Sequence, residues 1–239
     1  MGPCRGSVVP GRMATRAPGT NTDWRWGSVV SRAVNRDVWN DRYAGRDLVW
    51  SAEPNRFLVA ETADLVPGTA LDLGAGEGRN SLWLAERGWE VTAVDFSDVA
   101  LSKGSSIAES RGLDIEWVVA DLGTYIPPSQ TFDLVIEFYV QLPAPLRQDI
   151  WRRAEAAVAP GGTLLVVGHD LTNLEHGYGG PQNPAALFTP DDVVEMIEDL
   201  DVIRATRVDR PVNDKVAIDA LVRAVRRAGP ATYNGATGM

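Results

Sequence analysis

The sequence predicts an α/β fold, a doubly wound and mostly parallel sheet of seven strands with helices on both faces (a Rossmann-like arrangement). Three observations point to it. Short runs rich in Val, Ile and Leu alternate with longer amphipathic stretches, as expected of parallel strands buried on both faces. The first run, Ala70-Leu71-Asp72-Leu73, passes into a glycine-punctuated turn, Gly74-Ala75-Gly76-Glu77-Gly78, and then into helix-forming sequence from Arg79. Polar residues gather where the runs end, and sheets of this class bind ligands beyond the carboxyl ends of their strands.

A chain of 239 residues that is 44% hydrophobic can bury one substantial core. The net charge of −9 argues against nucleic acid or an anionic membrane as partner, because phosphate-rich surfaces demand clustered cations. Lys103 and Lys215 are the only lysines, so the positive charge is almost all arginine. The lone Cys4 excludes an internal disulfide and suits a reducing cytoplasm. No apolar run approaches the ~20 residues of a membrane span. The expectation is a soluble cytoplasmic monomer or homodimer.

Taken in order, residues 1–36 form an expected unfolded tail, poor in acids and rich in Gly, Pro, Ser and Thr in its first 22 positions, with Met13 an alternative start. Trp24, Trp26, Trp39, Tyr43 and Trp50 then lie in a polar background. Trp39 and Tyr43 have i, i+4 spacing and share a helix face; these aromatics pin a helix to the core, cover a ligand, or do both. Residues 55–66 read as an amphipathic helix stopped by Pro67-Gly68. Strands follow over 70–73, 89–95, 114–121, 132–139 and 163–169, with helices between them, including one from about 144 to 158. Thr189-Pro190 opens a helix reaching about Leu200, and residues 201–208 and 216–225 supply two closing strands before a C-terminal tail at 229–239. The domain proper is therefore placed at 37–228.

The glycine turn is where backbone N–H groups and a helix N-terminus can meet a polar ligand. The dinucleotide fingerprint G-x-G-x-x-G wants a glycine where this chain has Arg79. Asp95 ends the second strand and can accept both hydroxyls of a ribose. Asp121 ends the third and can accept from an exocyclic amine. Asp72, an acid inside an apolar strand, must be hydrogen-bonded or serve the site.

Ala-Leu-Asp-Leu-Gly-Ala-Gly-Glu-Gly from Ala70, Val-Thr-Ala-Val-Asp-Phe-Ser from Val91 and Val-Val-Ala-Asp-Leu from Val118 together resemble the class I S-adenosylmethionine-dependent methyltransferases. Trp39 to Tyr43, Trp50 and the run Tyr139-Val140-Gln141-Leu142 are similar to the tellurite-resistance and thiopurine branch of that family. The resemblance implies S-adenosyl-L-methionine as cofactor. Gly74, Ala75 and Gly76 would pass under its methionine part, with Arg79 near the carboxylate. Asp95 would hold the ribose, Phe96 would lie against the adenine, and Asp121 and Leu122 would contact the adenine edge. Glu137 and Phe138 would stand near the sulfonium and methyl group, and Trp39, Tyr43 and Trp50 would form the lid. Plainer roles stay open beside these: a tight turn for the glycines, helix caps for Asp95 and Asp121, core packing for Phe96, a solvated helix position for Arg79.

A methyl sulfonium is an activated electrophile, so a general base is needed only where the acceptor holds its proton at neutral pH. His169 and Asp170, at the mouth of the fifth strand, are the candidate bases; a strand-end histidine satisfied by loop backbone is the alternative. His169, Asp170, Glu175 and His176 lack a recognised metal-ligand spacing, and no metal is expected. Tyr139, Gln141 and Tyr178 are candidate walls of the acceptor pocket. The expected activity is methyl transfer to O, S, N or a chalcogen of a small, partly apolar molecule. A nicotinamide-dependent oxidoreductase, disfavoured by Arg79 and by the lack of a Tyr-x-x-x-Lys pair, and a non-catalytic cofactor-binding module are the alternatives.

Overall fold

A computed structural model describes residues 35–228. Both predicted tails, Cys4, Trp24 and Trp26 lie outside the described residues, apart from the last two positions of the N-terminal one. Asn35 and Arg36 belong to the domain: Asn35 caps helix α1 (Arg36–Tyr43), its side chain accepting from the N–H groups of Asp37 and Val38. A short α2 (Arg56–Glu61) follows, capped by Asn55.

The sheet comprises β1 (Thr69–Leu73), β2 (Glu90–Asp95), β3 (Ile115–Val119), β4 (Phe132–Phe138), β5 (Val158–His169), β6 (Leu200–Val212) and β7 (Lys215–Arg226). Their spatial order is β3-β2-β1-β4-β5-β7-β6. The ladders from β3 to β5 are parallel, and β7 runs antiparallel to both β5 and β6. Helices α3 (Arg79–Ala85), α4 (Asp98–Arg111) and α5 (Ala144–Ala157) make the crossovers. A short α6 (Asn173–His176) and α7 (Pro190–Val194) interrupt the path to the closing hairpin.

The two faces follow from strand alternation. Leu71, Leu73, Val135, Leu164 and Val166 pack with Trp151 and Ile150 of α5 on one side. Ala70, Leu134, Ile136 and Leu165 pack with Leu58, Leu82 and Leu84 on the other. Strand order reverses between β1 and β4, so the crevice for a ligand lies beyond those two carboxyl ends.

Several boundaries differ from the sequence reading. The helix expected over 55–66 has only six residues, since Thr62 already leaves helical geometry. The helix opened by Thr189 stops at Val194 despite its full capping box. The closing strands are longer than expected because each pairs with the other around Asn213, a left-handed turn residue.

Candidate active site

At the switch point the glycine turn is bent by left-handed backbone at Gly74, Gly76 and Gly78. Gly74 shows why: a Cβ there would lie 2.3 Å from Val140 Cγ2, in the loop beyond β4. Four N–H groups of the turn are already taken within the fold. The N–H groups of Gly74 and Ala75 donate to Val94 O, that of Gly78 to Ala75 O, and that of Gly76 to Asp95 Oδ2 at 2.9 Å. Side chains around the turn supply further polar groups.

Those side chains line one cleft of about 630 Å³, a size typical of small-molecule sites (~300–1,000 Å³). Gly74, Ala75, Gly76, Arg79, Asp95, Phe96, Asp121, Leu122, Phe138 and His169 all border it, as do Trp39, Tyr43 and Trp50. Asp95 is only 7% exposed, and its other oxygen accepts from Ser97 N–H at 2.9 Å. Burial raises its carboxyl, and the backbone N–H groups oppose the rise. A carboxylate offers about four acceptor positions, so hydroxyls from the cleft can still be received. Asp121 Oδ1 accepts from Gly123 N–H at 2.8 Å. Arg79 reaches the cleft with no ion pair among the described residues, a free cation for a ligand carboxylate.

The aromatic segment is both anchored and placed over the cleft. Trp39 and Tyr43 stack with centroids 5.8 Å apart, and Arg42 lies over the rings of Trp39 and Trp50 at 5.0 and 4.5 Å. Trp50 Nε1 donates to the Tyr43 hydroxyl at 3.2 Å. Burial pushes that phenol up to about 12, so it remains a hydroxyl. Asn40 fastens α1 to α4 by donating to Asp98 and accepting from Ser97. Glu77, to which the sequence alone assigns no role, is the other clasp. Its carboxylate accepts from the N–H groups of Val49 and Trp50 and pairs with Lys103 at 3.0 Å.

Three expected site residues are not brought to the cleft. Asp72 is buried and accepts from Ser81 Oγ at 2.6 Å, and burial pushes its carboxyl up to about 6. It is a strut between β1 and α3. Asp170 directly follows the last residue of β5 in extended backbone paired with Phe188, so it points to the face opposite His169. There Oδ1 accepts from Thr172 N–H, Thr172 Oγ1 and Arg207 Nε, and it cannot serve as the base. Glu137 faces α5 in the interior, where Trp151 Nε1 donates to Oε1 at 3.3 Å.

Burial raises the Glu137 carboxyl from 4.5 to about 8, only partly opposed by the Trp151 bond and the Arg147 charge. The folded chain therefore holds a proton that the unfolded chain has lost. Its stabilisation is whole below about pH 4.5 and disappears as pH rises through about 8. Glu137→Gln, which keeps the acceptor for Trp151, is expected to remove this loss. In chemical denaturation at pH 6 and pH 8.5, the variant should gain on the parent at the higher pH. Parallel curves would show that Glu137 is ionised throughout.

Tyr139, Gln141, Tyr178, His169 and Arg210 line the same cleft. Tyr139 has φ of 59°, a strained setting for a bulky residue and one that clusters at functional sites. Its hydroxyl donates to Asp219 Oδ2 at 2.6 Å. Arg210 Nε donates to the same oxygen at 2.6 Å, with its guanidinium 5.3 Å from the centre of the Tyr139 ring. The antiparallel register sets Asp219 opposite His169, whose Nδ1 lies 3.1 Å from Asp219 Oδ1. Burial of Asp219 would raise its carboxyl, but His169, Arg210 and Tyr139 together hold it below the ordinary range. Sequence reasoning missed Asp219 and Arg210, although an acid inside Ala217-Ile218-Asp219-Ala220-Leu221 is the same signal that singled out Asp72. Among the described residues no group of three or more His, Cys, Asp or Glu is arranged to hold a metal, and no helix is long and apolar enough to cross a membrane.

Residues 70–162 match a family described as methyltransferase domain. A 2-heptyl-1-hydroxyquinolin-4(1H)-one methyltransferase of Mycobacteroides abscessus is 29% identical over 119 residues, 48% of this chain and 52% of that one. A trans-aconitate 2-methyltransferase of Rhizobium meliloti is 33% identical over 115 residues, 47% of this chain and 43% of that one. The chain thus spans about half the length of these relatives. Among solved structures, the 1,6-didemethyltoxoflavin-N1-methyltransferase of Burkholderia thailandensis, with its substrate and S-adenosylhomocysteine bound, superposes with a TM-score of 0.63 at 21% identity, covering 82% of this chain and 88% of that one. TehB of Haemophilus influenzae gives 0.61 at 18% identity, covering 80% and 67%. Both share the fold.

Proposed function

Since residues 70–162 carry a methyltransferase domain, we propose that this protein moves the methyl group of S-adenosyl-L-methionine to a heteroatom of a small molecule. The observation that carries the reading is a single cleft joining Arg79, Asp95 and the aromatic segment to the Tyr139, His169 and Arg210 end. When bound, the cofactor supplies a methyl group already activated on a cationic sulfur. Arg79 pairs with the ligand's carboxylate and Asp95 accepts from its ribose hydroxyls. Phe96 would lie against the adenine, and Asp121 and Leu122 would contact its edge. Phe138, at the end of β4, borders the point where cofactor and acceptor meet.

The protein's main contribution is placement, which can supply about 7–11 kcal/mol of barrier reduction. Trp39, Tyr43 and Trp50, held by Asn40 and Glu77, exclude water from the reacting groups. A cleft of about 630 Å³ can take the cofactor and a small acceptor together. The excess of acidic residues weighs against nucleic acid as acceptor. The methyltransferases of quinolone and aconitate substrates among the relatives support a small-molecule acceptor. The reading places the reaction in the cytoplasm, in a monomer or homodimer.

Thermal denaturation with S-adenosylmethionine, S-adenosylhomocysteine, NAD and NADP tests the cofactor. The two sulfur ligands should raise Tm. Stabilisation by NAD or NADP alone would overturn the reading in favour of an oxidoreductase. Methyl transfer to a panel of phenols, thiols and chalcogen anions then separates an enzyme from a binding module.

A further inference from the structure

We infer that Asp219 fixes His169 as its Nδ1–H tautomer, leaving Nε2 at the acceptor end of the cleft to take a proton, so that the methyl acceptor is a hydroxyl or comparable acid. The assignment of the reaction rests on the methyltransferase reading; the tautomer does not.

His169 Nδ1 is buried, 3.1 Å from Asp219 Oδ1, and short of full hydrogen-bond alignment. Such bonds commonly tighten only when the ligand is bound. Asp219 is itself 0% exposed and is held ionised by Arg210 and Tyr139. A bare Nδ1 lone pair facing that oxygen would set two acceptors against each other inside the protein. The proton therefore sits on Nδ1, and in the neutral ring Nε2 carries the free lone pair.

A glycine at position 180 keeps a side chain off Nε2. Gly180, with φ of 75°, passes directly over this edge of the ring, and a Cβ there would lie 2.7 Å from Cδ2 and 2.8 Å from Nε2. Tyr139 and Arg210 beside it cannot do the task. Tyr139 donates its proton to Asp219, and burial with the neighbouring carboxylate raises its phenol far above the ordinary range. Arg210 has no acceptor atom. Asp170 and Glu137 lie off the cleft. In the reaction the acceptor's O–H bond breaks and an N–H bond forms at Nε2. The oxygen's electron pair would form the new O–C bond as the donor's S–C bond breaks with its electrons kept on sulfur, and the imidazolium charge is balanced by Asp219. A preformed thiolate or chalcogen anion would have no use for this arrangement.

His169 and His176 are the only histidines, so a ¹⁵N-labelled His176→Gln protein reports on His169 alone. Long-range ¹H–¹⁵N spectra at a pH where the ring is neutral should show Nδ1 protonated and Nε2 bare. In Asp219→Asn the pattern should shift to the Nε2–H form that free histidine favours. Nε2–H in the parent spectrum overturns the inference even if the variant fails to fold, and an unchanged pattern in a folded variant shows that another group sets the tautomer. His169→Gln should lose about 10²–10⁴-fold in turnover of a phenol while cofactor stabilisation is kept. Equal loss on a thiol ionised at the assay pH would also overturn it. Absence of cofactor stabilisation in the parent protein would instead count against the methyltransferase reading alone.

Discussion

Replacing Asp95 by alanine is expected to weaken S-adenosylmethionine binding by about 30- to 1,000-fold, the equivalent of about 2–4 kcal/mol. Asp95 is nearly buried at the lip of the cleft, where bonds from ribose hydroxyls to a charged acceptor are strong. The same carboxylate ties the glycine turn to β2 by accepting from Gly76 and Ser97 N–H groups. Alanine therefore also orphans two donors, at about 1–3 kcal/mol each. The two effects separate by experiment. Calorimetric titration reads the affinity, and denaturation without ligand reads the turn. Asp95→Asn, which keeps one oxygen, should recover part of the stability and little of the affinity. Affinity within about threefold of the parent in a folded Asp95→Ala protein would reduce Asp95 to a turn tie.

The strands of the parallel half were legible because each is a short apolar run that must be buried on both faces, and such runs mark themselves without knowledge of their neighbours. The ends of β1, β2 and β4 were legible for the same reason, and Arg79, Asp95, Phe96 and Phe138 all border the cleft. Which way a side chain faces at a strand end was less readable. His169 and Asp170 cannot both face one cleft, nor can Glu137 and Phe138, because adjacent strand residues alternate. One of each pair lies inside, against Arg207 or Trp151. Asp219 and Arg210 were hidden for a different reason. Their place at the site depends on the antiparallel register of β7 with β5 and of β6 with β7. That register is set by pairing across the sheet, and no local pattern encodes it. Glu77 sits among glycines, and its role depends on where the chain at Val49 and Trp50 returns.

Asp219→Leu is expected to destabilise the fold by about 3 kcal/mol or more, since removing one partner of a buried charge network leaves the others uncompensated. For a domain of this size that is a fall in Tm of about 6–12 °C. Asp219 accepts from Arg210 and Tyr139 and adjoins His169, so three side chains lose one common partner. Arg210 is partly exposed to the cleft and can recover some hydration, which keeps the cost toward the lower end of the range for buried pairs. Removing the cation together with the anion should be far milder. The double variant Asp219→Leu/Arg210→Met is therefore expected to recover most of the lost Tm, with a coupling well above the ~0.5 kcal/mol of independent sites. Tyr139 makes the network more than a local ion pair, because its strained backbone holds the ring beside His169, with centroids 5.1 Å apart. Even the thermally recovered double variant should accordingly remain poor at methyl transfer. Additive losses of Tm would mean that Arg210 does not depend on Asp219, and the two residues would then not form one unit at the mouth of β5, β6 and β7.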